Sequence, residues 1–367
     1  VLDRLADGAL GEKHALCARW VVFSDLHVNR KTAPVAMQVL RAVHEAAIER
    51  DAGIVFLGDF WHARGAIPVE PLVDALAEIA KWRVPAVMIP GNHDQVTAGG
   101  ETHALTPLQA ANPEYVRVLS RPTLWRGALW LPYRRDAKTL REAVDAAKAF
   151  SAETEGAGAP GEDGARGLQH GARGLRAIMC HADVVGASMN ESFQARDGID
   201  PSVFGVAESP LGFGGGAGDA PERKTVPTYT GHYHKPHTVP GTRITYVGSP
   251  YQTSMAEAGQ QKALLVLDAA AQWAVAEEVP LDAGPRHLGS ENICDQRHAT
   301  SAARAGTSRG GDFLHRASPC QGSGARRDRG AAEACRNDPF RLQFAEPVSS
   351  RPRPRPRGRP RGPRGRR

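Results

Sequence analysis

Short apolar runs alternate with amphipathic segments from about residue 19 to residue 288 of the chain. The first three runs are continuously apolar, which is typical of β-strands that are covered on both faces. The pattern predicts strands at residues 20–23, 53–57, 84–89, 128–131, 177–179, 228–230, 244–247, 263–267 and 273–279.

Amphipathic helices are predicted between these strands, at residues 34–50, 68–82 and 139–150. In the second helix an apolar stripe of Val69, Leu72, Leu76 and Ile79 follows Pro68, and we expect this stripe to be buried. Alternation of strand and helix predicts an α/β fold with parallel strands in the first half. The later strands follow one another closely, which predicts hairpins and a mixed or second sheet.

Composition divides the 367-residue chain into regions. Residues 1–18 are predicted to be an N-terminal extension and residues 19–288 a folded domain. Within that domain, the Gly/Ala-rich stretches 151–174 and 211–220 are predicted to be flexible insertions. Residues 289–367 form a tail rich in Arg, Pro and Gly. Because such a composition cannot bury apolar surface, the tail is predicted to be disordered.

The positive charge of the chain is concentrated in its last part. The net charge is +6, but residues 301–367 alone carry 17 Arg, no Lys and five acidic residues, so the remaining 300 residues are net negative. Basic tails gain affinity for nucleic acids through counterion release. The abrupt loss of pattern and the use of Arg without Lys favour instead a tail without function.

Cysteine content and hydropathy bear on the compartment. Five cysteines in a chain of this length imply no disulfide framework and favour a reducing, intracellular compartment, whether nucleus, organelle or cytoplasm. No run reaches the roughly 18 apolar residues of a membrane span. Association with a membrane is therefore not expected.

Polar side chains follow five of the predicted strands, and they include six of the 14 histidines. In open α/β sheets, ligands bind at the carboxyl ends of the strands, so these side chains are expected to meet. In chain order they are Asp25 and His27 in VVFSDLH, Asp59 and His62 in VFLGDFWH, Asn92, His93 and Asp94 in VMIPGNHD, His181 in IMCHAD, and His232 and His234 in TYTGHYH.

This combination of residue types suits two adjacent divalent metal ions. Such a pair needs one carboxylate that touches both ions, several neutral imidazoles and a hard oxygen ligand such as an amide. Imidazole with carboxylate suits Mn, Fe or Zn better than Ca. Cys180 is the one cysteine beside a predicted ligand, so a structural zinc site is not indicated.

The motifs D-x-H, G-D-x-x-H, G-N-H-D, an isolated His and G-H-x-H occur in this order between Trp20 and His234. Together they resemble the calcineurin-like metallophosphoesterase superfamily. His62 stands where protein phosphatases have Asp followed by Arg-Gly. This feature and the stretch YVGSPYQTSMAEAGQQKALLVLD are similar to the SbcCD-type (SbcD-like) DNA repair exonuclease subunit, which extends the resemblance to about Leu288. The resemblance implies a four-layer α/β/β/α sandwich with two mixed β-sheets.

The resemblance also implies two divalent metal ions, Mn²⁺ before Fe, Zn or Mg, and attack of a metal-bound hydroxide on phosphorus. The ligand roles that it implies are Asp25, His27 and His234 for one ion, Asn92, His181 and His232 for the other, and Asp59 as the bridge. His93 is implied as a general acid or charge stabiliser that Asp94 orients, and His62 as a contact to the scissile phosphate or the nucleic-acid strand.

Three functions agree with the sequence. The first is a phosphodiesterase or nuclease acting on DNA ends, and the second a metallophosphoesterase for a nucleotide, a phosphoprotein or another small phosphate ester. The third is a non-enzymatic interaction protein with the same fold, which the intact ligand set disfavours. Members of the nuclease family continue into a DNA-capping region and helices that dock on an SbcC-like ATPase. Neither is recognised after Leu288, which argues against that partner.

Overall fold

The structure is a computed structural model that describes residues 2–97, 99–156, 174–190, 193–205 and 226–287, with the backbone alone for residues 153–156. The predicted tail, residues 289–367, lies outside the described residues. So do the predicted insertion at residues 211–220 and most of the one at residues 151–174.

The strands of the described residues occur throughout the chain and most of them are short. They are β1 (Asp3–Arg4), β2 (Arg19–Phe23), β3 (Ala52–Phe56), β4 (Ala86–Met88), β5 (Val116–Val118), β6 (Thr123–Trp125), β7 (Ala128–Leu131), β8 (Ala177–His181), β9 (Thr228–Gly231), β10 (His237–Thr238), β11 (Ile244–Tyr246), β12 (Lys262–Asp268) and β13 (Ala274–Leu281).

The helices alternate with the strands in the first half of the chain. They are α1 (Glu12–Leu16), α2 (Ala33–Glu49), α3 (Val69–Ile79), α4 (Thr106–Ala111) and α5 (Ala137–Gly156). Short 3-10 turns occupy Asp7–Leu10, Pro201–Phe204 and Met255–Glu257.

Two mixed sheets organise these elements, as the sequence predicts. One has six strands in the order β13-β12-β2-β3-β4-β5, in which β2 to β5 run parallel, β12 runs antiparallel to β2, and β13 runs antiparallel to β12. The other has seven strands in the order β1-β6-β7-β8-β9-β11-β10, with β7, β8 and β9 parallel. The parallel strands of each sheet therefore present their carboxyl ends at one edge.

Alternate residues of the central strands face two different cores. In β2, Trp20 and Val22 point between the two sheets, whereas Val21 and Phe23 point towards α2 and α3. A third apolar cluster joins the outer face of the seven-stranded sheet to α5. These three cores separate four layers, helices on sheet on sheet on helix. The continuous apolar runs follow because both faces of these strands are buried.

Each of the nine predicted strands differs from the observed one by no more than two residues at either end. The predicted buried stripe on α3, however, is wrong at its first position. Val69 is 69% exposed, and the buried face of α3 includes Ala75, Glu78 and Ile79. Glu78 can face inwards because Arg41 of α2 donates to its carboxylate at 2.7 Å. A count of apolar positions does not predict this inward-facing carboxylate.

The folded unit includes residues that the sequence assigns to an extension. Strand β1 pairs with β6, and Leu10 packs in the core between the sheets. Helix α5 continues to Gly156, so helical structure reaches into the first six residues of the stretch 151–174. Among the described helices, none is long and apolar enough to cross a membrane.

Candidate metal centre

The predicted ligands follow the carboxyl ends of five strands that come from both sheets. Strands β2, β3 and β4 of the six-stranded sheet lead into Asp25, Asp59 and Asn92, respectively. Strand β8 of the other sheet ends at His181, and β9 leads into His232. All seven predicted ligands meet through the contacts described below.

The backbone at this edge adopts conformations that side chains rarely occupy. Asp25, His27, Asp59 and His232 all have positive φ, at 55°, 48°, 61° and 99°. For residues other than glycine this region costs free energy, and such residues concentrate at functional sites. The strained backbone therefore coincides with the positions at which the predicted ligands turn towards the centre.

The first group consists of Asp25, His27 and His234, whose potential ligand atoms all lie within 4.8 Å of one another. Nε2 of His27 is 3.0 Å from Nε2 of His234 and 3.9 Å from Oδ1 of Asp25. The carboxylate of Asp25 is fixed by the hydroxyl of Ser24 and by the backbone N–H of His232, which lies 3.1 Å from each of its oxygens.

The second group consists of Asp59, His181 and His232, again within 4.8 Å of one another, and Asn92 joins it. Oδ1 of Asn92 is 3.0 Å from Nε2 of His181 and 2.9 Å from Nδ1 of His232. Oδ2 of Asp59 lies 3.4 Å from Nε2 of His181 and 3.8 Å from Nε2 of His27. Asp59 therefore stands between the two groups, where the sequence predicts the bridge.

The donor chemistry of both groups fits divalent cations. Nδ1–H of His181 donates to the carbonyl of Leu57 at 2.6 Å, so in the neutral form of the ring Nε2 presents a lone pair towards Asp59 and Asn92. A rotated amide of Asn92 would instead donate to His181 and His232, with Arg64 donating to its oxygen at 3.0 Å. Lone pairs that face one another in a buried place need either a proton or a cation between them. Carboxylate, imidazole and amide oxygen are the ligands of such cations.

The protonation states of Asp59, His27 and His232 agree with this fit, whereas burial raises the pKa of Asp25. Burial alone would raise the pKa of Asp59, but the nearby His181 outweighs it and holds that pKa well below its usual range. Burial opposes charge on His181, yet the carboxylate of Asp59 raises its pKa to about 9. Burial lowers the pKa of His27 and of His232 to about 3, so both imidazoles are neutral and carry a free lone pair. A cation would replace the proton of His181.

The position of Asp94 corrects one expectation from the sequence. The family resemblance implies that Asp94 orients His93, but the buried carboxylate of Asp94 accepts four backbone N–H groups instead. They belong to Asp59 (2.8 Å), Phe60 (3.0 Å), Trp61 (3.1 Å) and Gly91 (3.0 Å). These four donors match the acceptor capacity of a carboxylate. Asp94 thus joins the turn after β3 to the turn after β4.

His93 and His62 lie together at the side of the first group. Nδ1–H of His93 donates to the carbonyl of His62 at 2.6 Å, and the two rings are stacked with centroids 5.9 Å apart. The ring of His27 is 4.9 Å from that of His93 and 5.7 Å from that of His62. His93 is partly buried and His62 is exposed. The carbonyl of His62, rather than Asp94, orients the ring of His93.

Several side chains at the centre are absent from the sequence prediction. Glu257 and Thr253 contact Nδ1 of His234 at 3.1 and 2.9 Å, and Lys262 contacts Glu257. Tyr133 stacks on the ring of His232 with centroids 6.2 Å apart. None of the four residues stands in one of the motifs at strand ends from which the ligands are predicted. Glu257 and Lys262 do lie in the stretch that carries the nuclease resemblance, which is the available signal.

The absence of a side chain at Gly91 provides the space that Asp59 occupies. A Cβ added at Gly91 would lie 2.2 Å from Oδ1 and 2.4 Å from the backbone N of Asp59. We expect Gly91→Ala to displace Asp59 and to lower the affinity for Mn²⁺ by about 10- to 100-fold, the range seen when neighbours of metal ligands are changed. Calorimetric titration of the purified variant with Mn²⁺ checks this.

Gly8→Ala is the matched control, because an added Cβ there meets nothing within 4 Å. Its affinity for Mn²⁺ should equal that of the wild type. Equal affinities of the Gly91→Ala variant and the wild type would show that the position of Asp59 does not matter for binding.

The fold and the centre together define a class of protein. Residues 18–142 match the family model for calcineurin-like phosphoesterases, which ends before His181. Residues 18–142 therefore have the sequence of a calcineurin-like phosphoesterase domain. Such a domain, combined with the His/Asp cluster, implies a hydrolase that uses divalent metal ions to cleave phosphate esters.

Solved structures are similar to the chain over most of its length at low identity. The protein TT1561 of Thermus thermophilus is 12% identical, with 73% of this chain and 98% of that chain covered and a TM-score of 0.39. The nuclease MPE of Pseudomonas putida is 13% identical, with 71% and 87% covered and a TM-score of 0.30. No curated protein matched the chain.

Proposed function

We propose that this protein is a phosphodiesterase that depends on two divalent metal ions and cleaves DNA at or near strand ends. One observation carries the proposal. Lone pairs from strand ends of both sheets converge on two adjoining points, with Asp59 between them. A carboxylate shared by two such points is what a pair of ions needs to hold both oxygens of a phosphoryl displacement.

In this proposal Asp25, His27 and His234 would hold one ion, Asn92, His181 and His232 would hold the other, and Asp59 would contact both. Mn²⁺ is the ion that we favour, because imidazole and carboxylate ligands suit it, and Fe, Zn and Mg remain alternatives. When bound, the ions would neutralise charge on the phosphate and lower the pKa of water.

In this proposal His93 is the proton donor to the leaving oxygen. Its Nδ1–H is committed to the carbonyl of His62, so Nε2 is the atom that holds or releases a proton. A proton positioned in this way contributes typically 10²- to 10⁴-fold to the rate of such a step, as order-of-magnitude values for general acids. Asp94 supports this indirectly, because it fixes the turn that carries His93.

Arg64 and His62 would contact the substrate phosphate. Nη2 of Arg64 lies 3.0 Å from a terminal atom of the Asn92 amide, and both Arg64 and His62 are exposed. The guanidinium of Arg64 can donate to the oxygens of a phosphate group. The sequence features around His62 support a nucleic-acid diester as the substrate.

The first test is hydrolysis of bis(p-nitrophenyl) phosphate by the purified full chain with Mn²⁺. We expect turnover that EDTA abolishes and that added Mn²⁺ restores, because chelation removes ions that no side chain replaces. The release of p-nitrophenol measures it. Turnover that persists in EDTA would contradict the proposal that metal ions are needed.

The second test separates DNA from small phosphate esters. Linear single-stranded DNA, double-stranded DNA, circular single-stranded DNA, a cyclic nucleotide and a phosphopeptide are compared with Mn²⁺. Cleavage of linear DNA in preference to circles supports action at ends. Preference for the nucleotide or the phosphopeptide would contradict the proposal and favour a phosphoesterase for small or protein substrates.

A further inference from the structure

A buried ion pair lies behind His234, on the side away from His27. Glu257 and Lys262 are each 5% exposed, and Nζ of Lys262 lies 2.7 Å from Oε2 of Glu257. Removing two charges from water is costly, and the loss is recovered only when the geometry is good and other hydrogen bonds complete it. A buried ion pair that is retained despite this cost is expected to have a function.

The surroundings of Lys262 supply these hydrogen bonds. Its ammonium group lies 3.0 Å from the hydroxyl of Ser249, 3.0 Å from Oε1 of Gln260 and 2.9 Å from the backbone carbonyl of His234. Lys262 therefore holds both the carboxylate of Glu257 and the backbone of His234. It connects the β12 strand to the turn after β9.

The other oxygen of Glu257 faces the imidazole of His234. Nδ1 of His234 is 3.1 Å from Oε1 of Glu257 and 2.9 Å from the hydroxyl of Thr253, and that hydroxyl donates to the same Oε1. Because Thr253 uses its proton on Glu257, both partners of Nδ1 act as acceptors and Nδ1 must be the donor. Nε2 of His234 is then left with a lone pair, 3.0 Å from Nε2 of His27.

We propose that Glu257 is a positioning residue for the metal centre. It holds the Nδ1–H tautomer of His234, and Lys262 holds Glu257, so that the Nε2 lone pair of His234 points at the ion shared with Asp25 and His27. Carboxylates behind histidine ligands fix ring orientation and strengthen the ligand in this way. The inference rests on the proposed function, since it requires that the centre bind metal ions.

The proposal predicts an unequal effect on the two ions. Glu257 contacts His234 alone among the predicted ligands in the described residues, so the group of Asn92, His181 and His232 should be unaffected. Glu257→Gln should therefore weaken the binding of only one of the two Mn²⁺ ions, by about 10- to 100-fold. Calorimetric titration of the metal-free full chain resolves the two binding steps.

A purely structural role for the ion pair predicts a different result. The double variant Glu257→Gln/Lys262→Met removes both charges and leaves no buried charge unpaired, so the thermal midpoint of the metal-free chain should lie closer to that of the wild type than the midpoint of Glu257→Gln does. If Glu257 positions His234, Mn²⁺ affinity stays low in the double variant. If the pair serves folding alone, affinity returns together with the midpoint.

The spectrum of bound Co²⁺ gives a second readout that does not depend on turnover. A tilted or rotated His234 should change the visible absorption of one Co²⁺ ion and leave the other unchanged. Equal loss at both ions, or unchanged affinity and spectrum in Glu257→Gln, would overturn the inference while the proposed function stands. A wild-type chain that binds no Mn²⁺ would overturn the proposed function and the inference with it.

Discussion

Replacement of His93 with Ala is expected to lower turnover of bis(p-nitrophenyl) phosphate by about 10²- to 10⁴-fold, the range for loss of a general acid. The binding of Mn²⁺ should remain close to that of the wild type. The reason lies in the backbone, since the N–H of His93 donates to Oδ1 of Asp59 at 2.8 Å and Ala keeps this bond. The substitution therefore removes the imidazole and leaves the bridging carboxylate supported.

Steady-state kinetics and calorimetric titration are measured on the same preparation of this variant. His44→Ala is the matched control, because His44 lies on α2 and contacts the backbone N of Arg83 rather than any predicted ligand. It should lose little turnover. Loss of bound Mn²⁺ in the His93→Ala variant would mean that His93 is a ligand rather than a proton donor.

Replacement of Asp59 with Asn is expected to remove at least one of the two ions and to lower turnover more than about a hundredfold, beyond the range for residues that only support a ligand. The amide has nearly the shape of the carboxylate, and it can still accept from the N–H of His93. What it loses is the negative charge that faces both His27 at 3.8 Å and His181 at 3.4 Å.

Asp51→Asn provides a closely matched control for Asp59→Asn. Asp51 precedes strand β3 and Asp59 follows it, so the two stand at opposite ends of the same strand. Both have positive φ, 49° and 61°, but Asp51 is exposed. The control should bind two ions, as counted by elemental analysis after dialysis. Two ions in the Asp59→Asn variant with full turnover would exclude a bridging role.

The sequence predicts the central strands well because both of their faces are buried. In β2 and β3 the buried residues on both faces of the strand are apolar or Gly. The runs are therefore visible in the sequence without knowledge of the elements that pack against them. The short strands β1, β5, β6 and β10 escape prediction. They have two or three residues each, and their pairing is set by neighbours distant in the chain, as when Val116 pairs with Ala86.

The ligand set is predictable because each member lies just beyond or at the end of a strand, in a motif that its own few residues define. The residues that contact the ligands from outside the centre are not predictable in this way. Glu257 acts on His234 from 23 positions along the chain, and no local pattern connects them. The family resemblance implies that Asp94 orients His93, whereas the carboxylate of Asp94 accepts from four backbone amides. A motif gives the residue types but does not determine where each side chain points.

The division of the predicted ligands between β2–β4 of one sheet and β8–β9 of the other has a consequence for how the layers stay aligned. The interior between the sheets is built from apolar groups such as Trp20, Trp125 and Met179, and apolar burial is not directional. Coordination bonds are directional. Ions bound by ligands from both sheets would therefore fix the position of one sheet relative to the other. Loading the centre and completing the tertiary fold would then be one coupled event.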